Sequence, residues 1–158
     1  MNQALIAFGA NLANPRETLM DAVGALGEAG VVIDALSPLY RSPAWPPGSD
    51  APDYLNAVMR VRARREPAEL LALLLDIEAQ LGRVRGEPNA PRLIDLDLLD
   101  YAGQRSDDPA VRLPHPRMTD RAFVLLPLRD VAPDWRHPDG LSVAELLAAV
   151  DTADTTRA

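Results

Sequence analysis

The feature that most constrains the fold is the alternation between apolar and polar residues from Tyr54 to Arg64. Because successive side chains of a strand leave opposite faces, one face carries apolar side chains and the other mostly polar ones. The apolar set is Leu55, Ala57, Met59 and Val61, and the polar set is Tyr54, Asn56, Arg60 and Arg62. The pattern predicts a half-buried strand. Such strands are typical of antiparallel sheets, whereas strands of parallel sheets are apolar on both faces.

The signals around this strand predict the order β-α-β-β-α-β, followed by helices. Strands are predicted at 3–9, 31–41, 54–64 and 93–101, and helices at 14–28, 67–82, 120–129 and 142–150. This order predicts an α+β fold in which a ferredoxin-like antiparallel sheet is flanked by helices on both faces, a three-layer α/β/α sandwich. Residues 1–150 are predicted to form a single domain, and residues 151–158 a disordered tail.

The composition excludes several classes of protein. The 158 residues contain no cysteine, which excludes disulfides, thiolate zinc sites and a cysteine nucleophile. No apolar run approaches the ~20 residues that a membrane span needs. The N-terminus lacks a basic segment and a small-residue cleavage site, so no signal peptide is predicted and a cytoplasmic location is expected.

The net charge of −7 argues against a nucleic-acid partner, since such proteins present a basic face. All 16 basic residues are arginines. Base composition of the genome explains this most simply. A phosphate site in this chain would nevertheless need arginine forks or backbone N–H groups, because there is no lysine.

Asp95 and Asp97 lie two residues apart on a predicted strand, so both carboxylates leave the same face, and Leu96 and Leu98 leave the other. A pair of hard oxygen ligands suits Mg²⁺, which takes one or two carboxylates together with phosphates and water. On spacing alone, an acidic pair on a solvated strand face is the better interpretation.

The residues around this pair favour a metal site more strongly than the spacing of the two aspartates alone. Five arginines and a histidine flank the two aspartates in the sequence: Arg83, Arg85, Arg92, His115, Arg117 and Arg121. Such a concentration in an acidic protein is what a polyphosphate and a metal require. The alternative is that the arginines neutralise surface acids, where each pair contributes roughly 0–1 kcal/mol. From the residues alone the two interpretations have equal weight.

Other candidates are weaker. Glu78 is either a polar anchor at the mouth of a site or an ordinary surface glutamate. Tyr54 and Asn56 share a strand face and could stack on and hydrogen-bond a flat heterocycle, although polar residues of a sheet more often face water. Trp45 and Phe123 are either pocket aromatics or ordinary packing.

Seven segments between Ile6 and about Gly140 form a recognisable series: FGANL (8–12), YRSPAW (40–45), PDYLNAV (52–58), IEAQLGRVR (77–85), PRLIDLDLL (91–99), PHPRMTDRAF (114–123) and PL-x-x-x-AP (127–133). In their order and spacing they resemble the 6-hydroxymethyl-7,8-dihydropterin pyrophosphokinases of folate biosynthesis. PR-x-x-DLD with the downstream PH is the most specific element.

The resemblance implies transfer of pyrophosphate from ATP to the pterin, with release of AMP. It implies that Asp95 and Asp97 bind two Mg²⁺ ions. It places six residues at the ATP: Glu78, Arg83, Arg85, Arg92, His115 and Arg121. Four of these, Arg83, Arg92, His115 and Arg121, are the implied catalytic residues. It places seven at the pterin: Ser42, Pro43, Trp45, Tyr54, Asn56, Asp95 and Phe123.

The chain departs from the family pattern in the loop after Arg85, which reads GEPNA and lacks the tryptophan that closes over the pterin. Trp45 stands where an aliphatic residue is usual and could stack in its place. Two alternatives therefore stay open: a diverged paralogue with another pterin substrate or low turnover, and a catalytically silent nucleotide- or pterin-binding module. We expect small-molecule substrates, no nucleic-acid or membrane partner, and a monomer.

Overall fold

The structure, a computed structural model, describes residues 1–11, 14–44, 50, 52–82 and 94–158. In chain order, its elements are β1 (Asn2–Ala10), α1 (Pro15–Glu28), β2 (Val32–Leu36), β3 (Tyr40–Ser42), β4 (Tyr54–Ala63), α2 (Pro67–Gly82), β5 (Asp95–Tyr101), α3 (Ala122–Val131), α4 (Val143–Ala148) and β6 (Thr156–Arg157). A single 3₁₀ turn, Met118–Asp120, precedes α3.

The strands form one antiparallel sheet in the order β5-β1-β4-β3-β6, with β2 also paired to β4. When β2 and β3 are counted as one interrupted strand, the chain follows the β-α-β-β-α-β order that the sequence predicts. The α+β fold is therefore confirmed.

Helices cover both faces of the sheet. One core cluster joins side chains of α1 and α2 to one face, including Leu26, Leu70 and Leu74. The other joins α3 and α4 to the opposite face, including Leu128 and Leu146. This is the predicted three-layer sandwich.

The helix starts follow local signals in the sequence. The Asn14 side chain accepts a hydrogen bond from Glu17 N–H at the start of α1. Ser142 and Glu145 form the predicted capping box at the start of α4. Among the described helices, none combines the length and apolar content that crossing a membrane requires.

The predicted long strand at 31–41 is interrupted between Leu36 and Tyr40. Pro38 has no N–H to donate, and the Ser37 hydroxyl accepts the hydrogen bond of Val58 N–H at 2.9 Å. The alternation of apolar and polar residues does not predict this break, because the break depends on the contact between the Ser37 side chain and β4.

The prediction of a half-buried β4 is wrong for its central part. Val58 is fully buried and Asn56 is 5% exposed, although both lie on the face opposite the apolar set. α3 packs on this face at Val58, whereas Arg62, further along the same face, is exposed.

The C-terminal residues differ from the disordered tail that the sequence predicts. Thr156 and Arg157 pair with Arg41 and Tyr40 of β3. Ala158 N–H also donates to the Leu39 carbonyl at 2.9 Å. Backbone groups make these bonds, which explains why a polar side-chain pattern did not predict them.

Candidate active site

The site lies on the α3 side of the sheet, where three strands are in register. Gly9 of β1 is paired with Asn56 of β4 on one side and with Asp95 of β5 on the other. Two residues earlier, Ala7 lies opposite Asp97 in the same way. Because these β1 residues are small, the space between Asn56 and the two aspartates stays open.

This space is part of a cavity of about 570 Å³. Eight of the predicted site residues line it: Ser42, Pro43, Tyr54, Asn56, Asp95, Asp97, Arg121 and Phe123. The structure thus brings the predicted metal pair and most of the predicted pterin residues into one cavity. Four predicted residues, Trp45, Arg83, Arg85 and Arg92, lie outside the described residues.

Asn56 has a fixed orientation at the wall of the cavity. Its amide group donates to the Ser42 hydroxyl at 2.9 Å and to the Tyr40 carbonyl at 3.3 Å. Its Oδ1 is directed toward Gly9, where an added Cβ would lie 3.3 Å away. With both amide hydrogens used inside the protein, the group that Asn56 presents toward the cavity is an acceptor.

The start of α3 forms the opposite wall. Arg121 is its N-cap residue, and Phe123 and Val124 of its first turn line the cavity. The Arg121 guanidinium carbon lies 5.5 Å from the centroid of the Phe123 ring, within cation–π distance. The positive end of the helix and a guanidinium therefore meet the cavity at one point, which favours anions there.

His115 is held near Asp97 by two contacts with backbone groups. Its backbone N–H donates to the Leu99 carbonyl of β5 at 2.8 Å. Its Nδ1 accepts from Arg117 N–H at 3.2 Å, so a neutral ring carries its proton on Nε2. Burial lowers the pKa of His115; the Asp97 carboxylate opposes this, and Arg121 and Arg117 lower it further. His115 is therefore suited to donate a hydrogen bond as a neutral imidazole.

Glu78 lies on α2, and its Oε2 accepts a hydrogen bond of 2.9 Å from Leu96 N–H. Leu96 separates the two aspartates in the sequence. The resemblance places Glu78 at the ATP, which stays a prediction, and the structure shows its carboxylate hydrogen-bonded to the backbone of β5.

A second, smaller cavity of about 220 Å³ shares Asp97 with the first. Most of its lining residues are apolar, with Leu71, Leu98 and Val111 among them, and His115 and Arg112 also line it. Asp97, one member of the carboxylate pair, therefore lines both cavities.

The carboxylate pair fits Mg²⁺ in its chemistry. Asp95 and Asp97 are half-buried at the cavity wall and supply the hard oxygen atoms that this ion prefers. Within the described ranges, no group of three or more His, Cys, Asp or Glu side chains is placed to hold a metal ion. An ion bound here would complete its coordination with phosphate oxygens and water.

The sequence did not predict the roles of Ala7 and Gly9, which form the floor of the cavity. Their signal in the sequence is a pair of small residues at alternating positions, which places both on one face of β1. Arg117 also lines the cavity, and the sequence placed it near the pair without assigning it a role.

This α+β sandwich has one cavity that combines a carboxylate pair, an arginine at a helix start and a polar–aromatic wall, groups that are chemically suited to phosphates and to a flat ring. Residues 5–133 match the model of the 7,8-dihydro-6-hydroxymethylpterin-pyrophosphokinase (HPPK) family. The chain belongs to this family.

Relatives of similar length support the assignment. The chain is 43% identical over 152 residues to 2-amino-4-hydroxy-6-hydroxymethyldihydropteridine pyrophosphokinase of Pseudomonas aeruginosa. The aligned region covers 94% of this chain and 92% of the relative. It is 38% identical over 158 residues to the protein of the same name from Methylorubrum extorquens, with 99% of both chains covered.

Solved structures support the fold. A Plasmodium falciparum HPPK-DHPS chain matches with a TM-score of 0.74 at 14% identity, over 99% of this chain and 46% of that one. At this identity the likeness concerns the fold alone.

Proposed function

We propose that this chain transfers pyrophosphate from ATP to the hydroxymethyl group of 6-hydroxymethyl-7,8-dihydropterin and releases AMP. One observation carries the proposal. A wall suited to a flat ring and a carboxylate pair suited to a metal and phosphates lie in a single cavity, separated only by Gly9.

The pterin would occupy the side of the cavity formed by β3, β4 and α3. Asn56 presents Oδ1 as an acceptor for ring N–H groups, and Tyr54 and Phe123 supply aromatic surface. The Ser42 hydroxyl accepts a hydrogen bond from the Asn56 amide, and backbone groups of Ser42 and Pro43 would contact the edge of the ring. The hydroxymethyl group would then point toward Asp95.

The phosphates would lie over Asp95 and Asp97, near Arg121 and the start of α3. Mg²⁺, when bound by these carboxylates, would neutralise phosphate charge and make the substrate hydroxyl more acidic. His115 would donate from Nε2 to a phosphate oxygen, and Arg121 would stabilise charge that develops on transfer.

The nucleoside would extend into the smaller cavity beyond Asp97. Its apolar wall, with Leu71, Leu98 and Val111, suits the faces of a purine. Because Asp97 belongs to both cavities, a triphosphate anchored there reaches each of them.

In this arrangement the hydroxymethyl oxygen attacks the β-phosphorus of ATP. The bond between that phosphorus and the oxygen bridging to the α-phosphorus breaks, and AMP leaves with the bond's electron pair. The hydroxyl proton passes to solvent or to the phosphates. The protein contributes in-line positioning and charge stabilisation more than covalent chemistry.

The test is to incubate the purified protein with ATP, Mg²⁺ and 6-hydroxymethyl-7,8-dihydropterin and to separate the nucleotides. We expect one AMP for each pterin pyrophosphate. ADP as the product would contradict pyrophosphoryl transfer, and ATP binding without turnover would favour the silent binding module. Turnover of another pterin in preference to this one would favour the diverged paralogue.

The binding of two Mg²⁺ ions and the catalytic roles of Arg83 and Arg92 belong to the same proposal. A monomeric state and a cytoplasmic location stay predictions from the sequence.

A further inference from the structure

The strand that carries the aspartate pair is hydrogen-bonded to a neighbouring strand on one edge. β5 pairs with β1 through Asp95 opposite Gly9, Leu96 opposite Phe8 and Asp97 opposite Ala7. Leu96 N–H is directed to the other edge, where it donates to Glu78 Oε2 at 2.9 Å. The residue between the two aspartates is thus tied to α2.

This hydrogen bond controls the peptide group that joins Asp95 to Leu96. The Leu96 side chain is buried in the core on the α2 side, and the two carboxylates leave the opposite face. A rotation of this peptide group would change the direction of both carboxylates, because the three residues share one extended backbone.

The close approach of α2 to β5 makes the contact feasible. A Cβ on Gly82, one turn after Glu78, would lie 3.2 Å from Ile94 Cγ2, so the glycine lets the end of the helix lie against the start of the strand. Further along the same edge, His115 N–H donates to the Leu99 carbonyl. The outer edge of β5 is therefore fixed at Leu96 and at Leu99.

We propose that Glu78 is a positioning residue, which orients the Asp95–Asp97 pair through Leu96 N–H. The inference rests on the proposed function, since it assumes that the pair binds the metal with ATP. It differs from the expectation that Glu78 contacts the nucleotide, because its effect passes through the backbone of β5.

Three substitutions separate these roles. Glu78→Ala removes the acceptor. Glu78→Gln keeps an acceptor oxygen of the same reach without charge, and Glu78→Asp keeps the charge but shortens the side chain by one methylene. Asp76→Ala on the exposed side of the same helix is the matched control, since its carboxylate contacts Gln80.

The first measurement is hydrogen exchange of the Leu96 amide by NMR, which needs no turnover. The second is Mn²⁺ binding in the presence of a non-hydrolysable ATP analogue, followed by electron paramagnetic resonance. We expect faster Leu96 exchange and about tenfold weaker Mn²⁺ binding in Glu78→Ala and Glu78→Asp. In Glu78→Gln and Asp76→Ala, the Leu96 exchange rate and the Mn²⁺ affinity should both stay within about threefold of the wild type. This is well below the roughly 10- to 100-fold loss of metal affinity that is typical when a group orienting a metal ligand is removed.

Unchanged Leu96 exchange and Mn²⁺ binding in Glu78→Asp would overturn the proposal. The proposal would also be overturned if Glu78→Gln and Glu78→Ala both bound the metal-free ATP analogue more weakly while their Mn²⁺ binding was unchanged. That result would identify Glu78 as a nucleotide contact. If the wild type does not release AMP, the proposed function fails, whereas the Leu96 exchange still decides whether Glu78 fixes the strand.

Discussion

The guanidinium carbon of Arg121 lies over the ring of Phe123, 5.5 Å from its centroid. Arg121 is a candidate for the phosphates and Phe123 for the pterin, and both line the same cavity. The first turn of α3 therefore joins the two halves of the proposed reaction.

Replacing Phe123 with alanine tests the aromatic wall. We expect the KM for the pterin to rise about 10- to 100-fold, since stacking of a heterocycle on an aromatic side chain contributes roughly 1–3 kcal/mol. Phe123→Tyr should stay close to the wild type because the ring is kept. Steady-state kinetics with varied pterin at saturating ATP measure both, and an unchanged KM in Phe123→Ala would place the ring outside the site.

Replacing Asp97 with alanine tests the metal pair. We expect turnover to fall at least about a hundredfold, because metal stabilisation of transferring phosphates contributes several kcal/mol. The melting temperature should change little, since Asp97 is half-buried at the cavity wall. Asp107→Ala is the control, since Asp107 is exposed and lines neither cavity. A fully active Asp97→Ala variant would show that the metal binds elsewhere.

Replacing Gly9 with alanine tests the open floor of the cavity. The added Cβ would lie 3.3 Å from Asn56 Oδ1, so the acceptor that we assign to the pterin must shift by a few tenths of an ångström. We expect a roughly 3- to 10-fold higher pterin KM, about 1 kcal/mol. The backbone at Gly9 does not have a positive φ, so little loss of stability is expected.

Gly24→Ala is the matched control for this substitution. Gly24 lies in α1 with nothing within 4 Å of an added Cβ. The change should stabilise the helix by up to about 1 kcal/mol and leave the KM unaltered. A higher pterin KM in Gly24→Ala as well would mean that neither effect reports on the cavity floor.

Removing residues 151–158 tests whether β6 supports β3. β3 carries Ser42 and is held by Thr156 and Arg157 through the backbone. We expect a higher pterin KM in the shortened chain and unaltered Mg²⁺ dependence. Arg157→Ala keeps the backbone pairing and should behave as the wild type. Equal kinetics of the shortened and complete chains would show that β3 is stable without β6.

The buried carboxyl group of Asp100 predicts a pH effect on stability. Burial raises its pKa, although Gly103 N–H, Trp135 and His137 oppose the shift. Its Oδ1 has no hydrogen-bond partner among the described residues. Between the unfolded and the raised folded pKa, the folded state binds more protons, so the contribution of Asp100 to stability improves as pH falls. The difference in free energy of unfolding between Asp100→Asn and the wild type should therefore favour the variant more at neutral pH than at about pH 4.

Asp34 supplies a control of opposite sign. Its hydrogen-bonded ion pair with Arg62, at 2.8 Å, lowers its pKa. The stability from Asp34 is therefore present above its unfolded pKa and lost as pH falls through the folded pKa. Asp34→Asn should lose stability near neutral pH and approach the wild type in acid. Denaturant unfolding across this pH range measures both variants, and parallel pH profiles for the two would contradict the assignment of Asp100.

The sequence by itself determined the features that depend on neighbouring residues. The period of a strand places Asp95 and Asp97 on one face with Leu96 on the other, and Ser142 with Glu145 caps a helix, because each interaction spans only a few residues. These local rules, with the order of elements, were sufficient to predict the three-layer fold.

Only the tertiary structure decided which side chains meet. Gly9 lies between Asn56 and Asp95 because β1 pairs with both β4 and β5 in one register, and Glu78 reaches Leu96 because α2 packs against the outer edge of β5. The pairing of β6 with β3 likewise depends on backbone groups far apart in the chain. No short segment of the sequence specifies these contacts, because the free energy that selects them comes from pairing strands that are distant in the chain and from burying both faces of the sheet.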